Sequence, residues 1–188
     1  MSNLSKLNEN SNNIKNLVLS AMFLALGVLL PTFTGPQLGA IILPMHIPAI
    51  LAGFLIGAKY GFIVGVITPI LRSVIFGMPP LFPVAIAMAL EIGTYGFLSG
   101  FLYKAFSKKI TKTATIYGSL ISAMLVGRVV FGIAMFTMIV GFGHGSGVFT
   151  LSIWFTSVFL TSWIGIAVQI FIIPILVLAI ERNNLISR

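Results

Sequence analysis

Apolar residues in this chain fall in long continuous runs. Six runs are visible, at about 17–34, 46–58, 60–77, 82–103, 114–142 and 151–180, separated by short breaks rich in Pro, Gly or Lys. A helix of about 20 apolar residues crosses the roughly 30 Å hydrocarbon layer. The runs lack the period-2 alternation of barrel strands, so helices are the expected solution to backbone hydrogen bonding in lipid. The second run is the exception in length. About twelve residues reach only about 18 Å at 1.5 Å per residue, which leaves a tilted, broken or incompletely spanning segment. The pattern predicts an all-α polytopic integral membrane protein, with six transmembrane helices in one compact bundle over residues 17–182. The polar, Asn-rich residues 1–16, MSNLSKLNENSNNIKN, are expected to form a disordered cytoplasmic tail. The run after Lys15 reaches Pro31 without an A-x-A cleavage site, which argues against a removed signal peptide.

Charge supports the same map. Only 7% of the 188 residues are charged and 58% are hydrophobic, against about 25% charged in a soluble domain. Lys6 and Lys15 precede the first run, and Lys59 separates the second from the third. Lys104, Lys108, Lys109 and Lys112 separate the fourth from the fifth, and Arg182 and Arg188 follow the sixth. With six spans these all fall on one side, while the opposite loops, 31–45, 78–81 and 143–150, carry no Lys or Arg. The positive-inside rule then puts both termini in the cytoplasm. The net charge of +8 is thereby explained by topology, and no basic stripe alternates with aromatics as a nucleic-acid surface would require. With no cysteine, thiolate chemistry and Cys-ligated metal centres are excluded.

Small residues recur every four positions: Gly53, Gly57, Gly61 and Gly65; Ala85, Ala89 and Gly93; Ser119, Ala123 and Gly127. Each set is expected to line one helix face and permit close packing. Four ionisable residues lie in or at the mouth of spans: His46, Arg72, Glu91 and Arg128. Such groups are costly in hydrocarbon and face a cavity or a partner. Counting along the runs puts all four in the outer half of the membrane or near its centre, where they are expected to converge on one outward-facing cavity. An ion pair of Glu91 with Arg72 or with Arg128 is the structural alternative to a ligand role. One Glu cannot neutralise two Arg, so a carboxylate or phosphate ligand is expected. Trp154, Trp163 and Gln169 are further candidates for the cavity wall, although aromatics at span ends commonly anchor the interface. His144 lies in a glycine loop and is read as solvated.

The phosphate loop G-x-x-x-x-G-K-[ST] is missing, as are H-E-x-x-H and G-x-S-x-G. With two His and three acidic residues in the whole chain, no enzyme, no metal site and no cofactor are expected.

Six spans in under 200 residues, basic residues on one side, and a first span reading NLVLSAMFLALGVLLP resemble the substrate-binding S component of energy-coupling factor (ECF) vitamin transporters. The stretch 44–103, from PMHIPAILAG to GFLSGFLY, resembles spans 2 to 4 of such proteins. The resemblance implies a high-affinity vitamin or micronutrient site in the outer half of the membrane. It also implies association with a transmembrane T component and two cytoplasmic ATPases, in a prokaryotic plasma membrane. In that family an Ala-x-x-x-Ala motif on span 1 docks the T component, and Ala21 and Ala25 match it. The loop after span 1, here PTFTGPQLGAIILP, would act as a lid. Two arginines favour an anionic ligand, with pantothenate first and folate, niacin, biotin and riboflavin open. The alternative is a self-sufficient secondary transporter or channel, for which only Glu91 is available as an intramembrane acid. A scaffold subunit and an intramembrane enzyme using His46 and Glu91 are further rivals.

The topology is directly testable because the chain has no native cysteine. A single cysteine at Ser107 is expected to resist an impermeant thiol reagent added outside and to react after permeabilisation; labelling from outside would invert the map.

Overall fold

Most breaks in the hydrophobic pattern fall at residues that cannot continue a helix. Gly35 precedes Pro36 and has φ 70 and ψ 172, a backbone position that glycine adopts without a Cβ clash. Gly57 has φ 113, and Gly77 has φ 68 in a left-handed C-cap, with its N–H donating to the Ser73 carbonyl. Leu43, at φ 56, is the single non-glycine residue with positive φ among the described residues.

The computed structural model describes residues 2–107, 111–141, 156 and 163–183, with the side chains of 2–9, 36–38 and 40 left aside. Among the described residues the chain is all helical: α1 Ser2–Ile42, α2 His46–Ile56, α3 Ala58–Phe76, α4 Ile86–Phe106, α5 Lys112–Gly141 and α6 Trp163–Arg182. A π-helical turn, Leu81–Ala85, leads into α4. Five helical segments are long and apolar enough to cross a membrane: Asn10–Gly35, Ala58–Phe76, Leu81–Phe106, Lys112–Gly141 and Trp163–Arg182. The eleven-residue α2 is not. All of its residues except Ile47 are buried, so it is enclosed by protein and lies within the bundle as an apolar core helix.

One expectation about α1 changes. The segment 31–44, read as a loop, is helical through Ile42 apart from Gly35, so a bend replaces the loop. The helix begins at Ser2. Residues 143–150, the expected outer loop, and most of 151–162, the start of the expected sixth span, lie outside the described residues.

Glycine sets the packing of α2, α3 and α4. Gly57 is not part of a continuous small-residue stripe: it is the turn of an α2–α3 hairpin, with Gly53 and Gly61 facing each other across it. A Cβ on Gly61 would lie 2.6 Å from the Gly53 Cα and also collide with the Gly96 carbonyl oxygen. Gly65 meets the Ile92 and Gly93 backbone in the same way, and Gly100 meets Ala58. The core collects around this crossing, from Ile50 and Phe54 through Ile92 and Tyr95 to Ile116, Leu120, Ile173 and Val177. α5 packs along α4, and α1 packs on α2 and α3. Gly165 brings α6 against the Ile41 and Ile42 backbone of α1.

At one end of the bundle the basic residues gather. Lys59 and Lys104 line one cleft. Close by, Tyr103 OH donates to Glu181 Oε1 at 3.0 Å and Oε2 at 3.1 Å, and Lys112 Nζ lies 2.6 Å from Glu181 Oε2. These contacts join the ends of α4, α5 and α6. Lys112 is half exposed, so the ion pair itself contributes at most about 1 kcal/mol.

The helix crossing yields a stability prediction. Gly61→Leu must push α2, α3 and α4 apart, a cost of about 1–3 kcal/mol or more for overpacking. Thermal unfolding in detergent should show a melting temperature several degrees lower. Gly118→Leu, at a position with nothing within 4 Å of the added Cβ, should leave it unchanged.

Candidate functional site

Glu91 is a third of the way along the α4 segment and 2% exposed. Tyr95, one turn later on the same helix face, donates its hydroxyl to Glu91 Oε1 at 2.9 Å. Arg128 of α5 brings Nη1 to 3.1 Å from the same oxygen. His46, the first residue of α2, holds Nε2 at 3.8 Å from Glu91 Oε2, and its ring lies 5.4 Å from that of Tyr95. His46 and Tyr95 are buried, and Arg128 is 5% exposed. Three helices thus converge on one carboxylate. The close approach of α5 has a local reason: Gly127, beside Arg128, packs directly under the Tyr95 ring and leaves no room for a side chain.

The network is only partly satisfied. Both ring nitrogens of His46 lack a hydrogen bond, as do Arg128 Nε and Nη2 and, on α6, Gln169 Oε1. Buried polar atoms without partners are few in folded proteins, and a group of them around one centre is a mark of a site that receives something.

Gln169 of α6 reaches the same layer of the bundle. Its Nε2 donates to the Leu43 carbonyl at 3.4 Å, so it supports the left-handed turn that delivers the chain into α2 and positions His46. Arg72 does not join the carboxylate. Its Nη1 donates to the Val28 carbonyl at 2.7 Å and to Thr32 Oγ1 at 3.0 Å, and the guanidinium lies 5.1 Å from the centre of the Phe76 ring. The two arginines expected to share Glu91 are therefore divided: Arg128 pairs with it, and Arg72 holds α1. The Arg72 charge is met by neutral backbone and hydroxyl oxygens and by no acid shown against it, so it stays apart from the Glu91–Arg128 pair. Trp154 and His144 lie outside the described residues.

His46 and Arg72 nevertheless meet at a cavity of about 270 Å3 under the bend of α1. Its walls include Gly35, Gly39, Met78 and Met88. The bend that replaces the expected loop is thus one wall of a cavity. Tyr95 was missed in the sequence. Its spacing of four from Glu91 was the available signal, since a tyrosine one turn from a buried carboxylate is placed to donate to it.

Ala21 and Ala25 lie on the opposite, outer side of α1. Both are exposed, in a stripe with Leu17, Val18, Met22 and Leu29, while Phe23, Gly27 and Val28 turn inward.

No curated protein and no solved structure matches the chain. A family model does, that of the ECF transporter substrate-specific component, over residues 15–177. That range takes in the helices α2 to α5, the first three quarters of α6, and every residue of the buried network, and by it the chain belongs to the family of ECF transporter substrate-specific components.

Proposed function

We propose that this protein is the specificity subunit of an ECF-type importer. It takes a water-soluble vitamin or related micronutrient at the outer half of the plasma membrane, and passes it inward with a transmembrane T component and two cytoplasmic ATPases. Membership of a transporter-subunit family, which is not a family of enzymes, carries the reading. Three features of the fold support it. A cavity with a buried histidine and an arginine lies under the α1 bend. Next to it is a buried network with unused hydrogen-bonding atoms on His46, Arg128 and Gln169. The basic ends of α3, α4 and α5 gather at one end of the bundle, as expected of a cytoplasmic face with both termini inside.

In this reading His46, Arg72, Arg128 and Gln169 supply polar contacts to the ligand, with Trp154 a further candidate. Glu91 holds His46 and Arg128 in place. Pantothenate is the first vitamin to test among the anionic candidates. Ala21 and Ala25 present a small-residue patch to the T component, because small side chains let helices approach closely in lipid.

Mass spectrometry of small molecules released from the denatured, purified protein would identify the ligand. Finding no bound or saturably binding vitamin would count against the reading. For assembly, Ala21→Trp and Ala25→Trp should abolish ATP-dependent uptake in vesicles containing the partner subunits, while ligand binding to the solitary protein persists. Parallel loss of binding would make the two alanines internal packing residues.

A further inference from the structure

Two lysines stand on an open cleft with no acid to meet them. Lys59, at the start of α3, and Lys104, in the last turn of α4, line a half-open cleft of about 940 Å3 together with Tyr60, Phe101 and Ser107. Both lysines are exposed. The chain has three acidic residues. Two are committed elsewhere, Glu181 to Lys112 and Tyr103, and Glu91 to Arg128 inside the bundle. No ion pair reaches Lys59 or Lys104 among the described residues.

An aromatic surface adjoins the two lysines. Phe97, Phe101 and Lys104 are spaced four and three residues apart, so they share one face of α4 over about 10 Å at 1.5 Å per residue. On α3, Lys59 and Phe62 are three apart in the same way. Contacts join the two faces. Phe101 stacks on Phe97 with ring centres 5.7 Å apart and planes 7° apart, and Phe62 meets Phe97 edge-on at 6.4 Å. All three phenylalanines are exposed. The helices run antiparallel, Ala58 against Gly100 and Gly65 against Ile92, so each puts its lysine at the basic end and its phenylalanine nearer the middle of the bundle. With that end on the cytoplasmic side, the lysines lie at the level of lipid headgroups and the phenylalanines at the level of acyl chains. A free phosphate would meet the lysines and leave the aromatic surface unused. An anionic phospholipid meets both at once, and a half-open cleft lets its chains pass into the bilayer.

We propose that the Lys59–Lys104 cleft and the adjoining Phe62, Phe97 and Phe101 surface form a binding site for one anionic phospholipid of the cytoplasmic leaflet. The site is separate from the cavity under the α1 bend, and it does not depend on which ligand that cavity takes.

Native mass spectrometry of the delipidated full chain in neutral detergent tests this, by titration with dioleoylphosphatidylglycerol, dioleoylphosphatidylcholine or inorganic phosphate. Phosphatidylglycerol should form a saturable one-to-one adduct at least about tenfold tighter than phosphatidylcholine, and phosphate should form none. Lys59→Gln with Lys104→Gln should weaken phosphatidylglycerol by about thirtyfold, or about fivefold per lysine, and leave phosphatidylcholine unchanged. Phe97→Ala with Phe101→Ala should weaken both lipids. Arg182→Gln removes an exposed cation outside the cleft and should leave both lipids unchanged. Equal affinity for the two lipids, undiminished binding in the phenylalanine variant, or an equal loss in Arg182→Gln and the lysine variant would each overturn the site. Phosphate binding as tight as phosphatidylglycerol would make the cleft a simple anion site and overturn it too. If the lysine variant keeps its preference for phosphatidylglycerol but loses uptake in vesicles with the partner subunits, the cleft is a protein-docking surface and the lipid site falls.

Discussion

A carboxylate enclosed by apolar helices must find its counter-charge inside the protein, since neither lipid nor bulk water can supply it. Glu91 imposes that constraint here. Its partners come from three separate helices, Tyr95 from its own, Arg128 from α5 and His46 from α2. Removing one member of such a buried pair costs about 3–5 kcal/mol. The relative placement of α2, α4 and α5 is thus tied to one side chain. The arrangement gives orientation as well as stability: with Nη1 fixed on Glu91, the other edge of Arg128 points in one direction only.

Glycine makes that convergence reachable. Gly53, Gly61, Gly65, Gly96 and Gly100 bring the α2, α3 and α4 backbones into direct contact. In lipid the apolar surface between helices gives little net driving force, and close backbone packing takes its place. The same device recurs at Gly127 under Tyr95 and at Gly165 against α1. A cleft opens beside Gly57, Ala58 and Gly100 at the Lys59 and Lys104 end, and the cavity that His46 walls lies under the α1 bend.

α1 connects the two sides of the molecule. Its outer stripe carries Ala21 and Ala25, its inner face is held by Arg72 through the Val28 carbonyl and Thr32, and its bend at Gly35 walls the cavity that also includes His46. One helix therefore touches the proposed partner surface and the candidate ligand cavity.

Much of this was legible in the sequence. The length and apolarity of the runs determined helices of membrane-spanning kind, and Gly57 and Gly77 marked the ends of α2 and α3, because a residue that favours positive φ acts locally. The Ala-x-x-x-Ala motif and the span pattern were enough to indicate the family that residues 15–177 match. The ionisable residues inside spans were also visible, since any such residue stands out against 58% hydrophobic composition. Which of them meet was decided by tertiary structure alone. Depth along a span says nothing about azimuth, and one helical face separates an Arg72 bound to α1 from an Arg128 bound to Glu91. For the same reason the sequence did not distinguish a stripe of glycines from a hairpin turned at Gly57, nor a loop from a bend at Gly35. Periodicity fixes the element, but direction in space depends on what the neighbouring helices leave open.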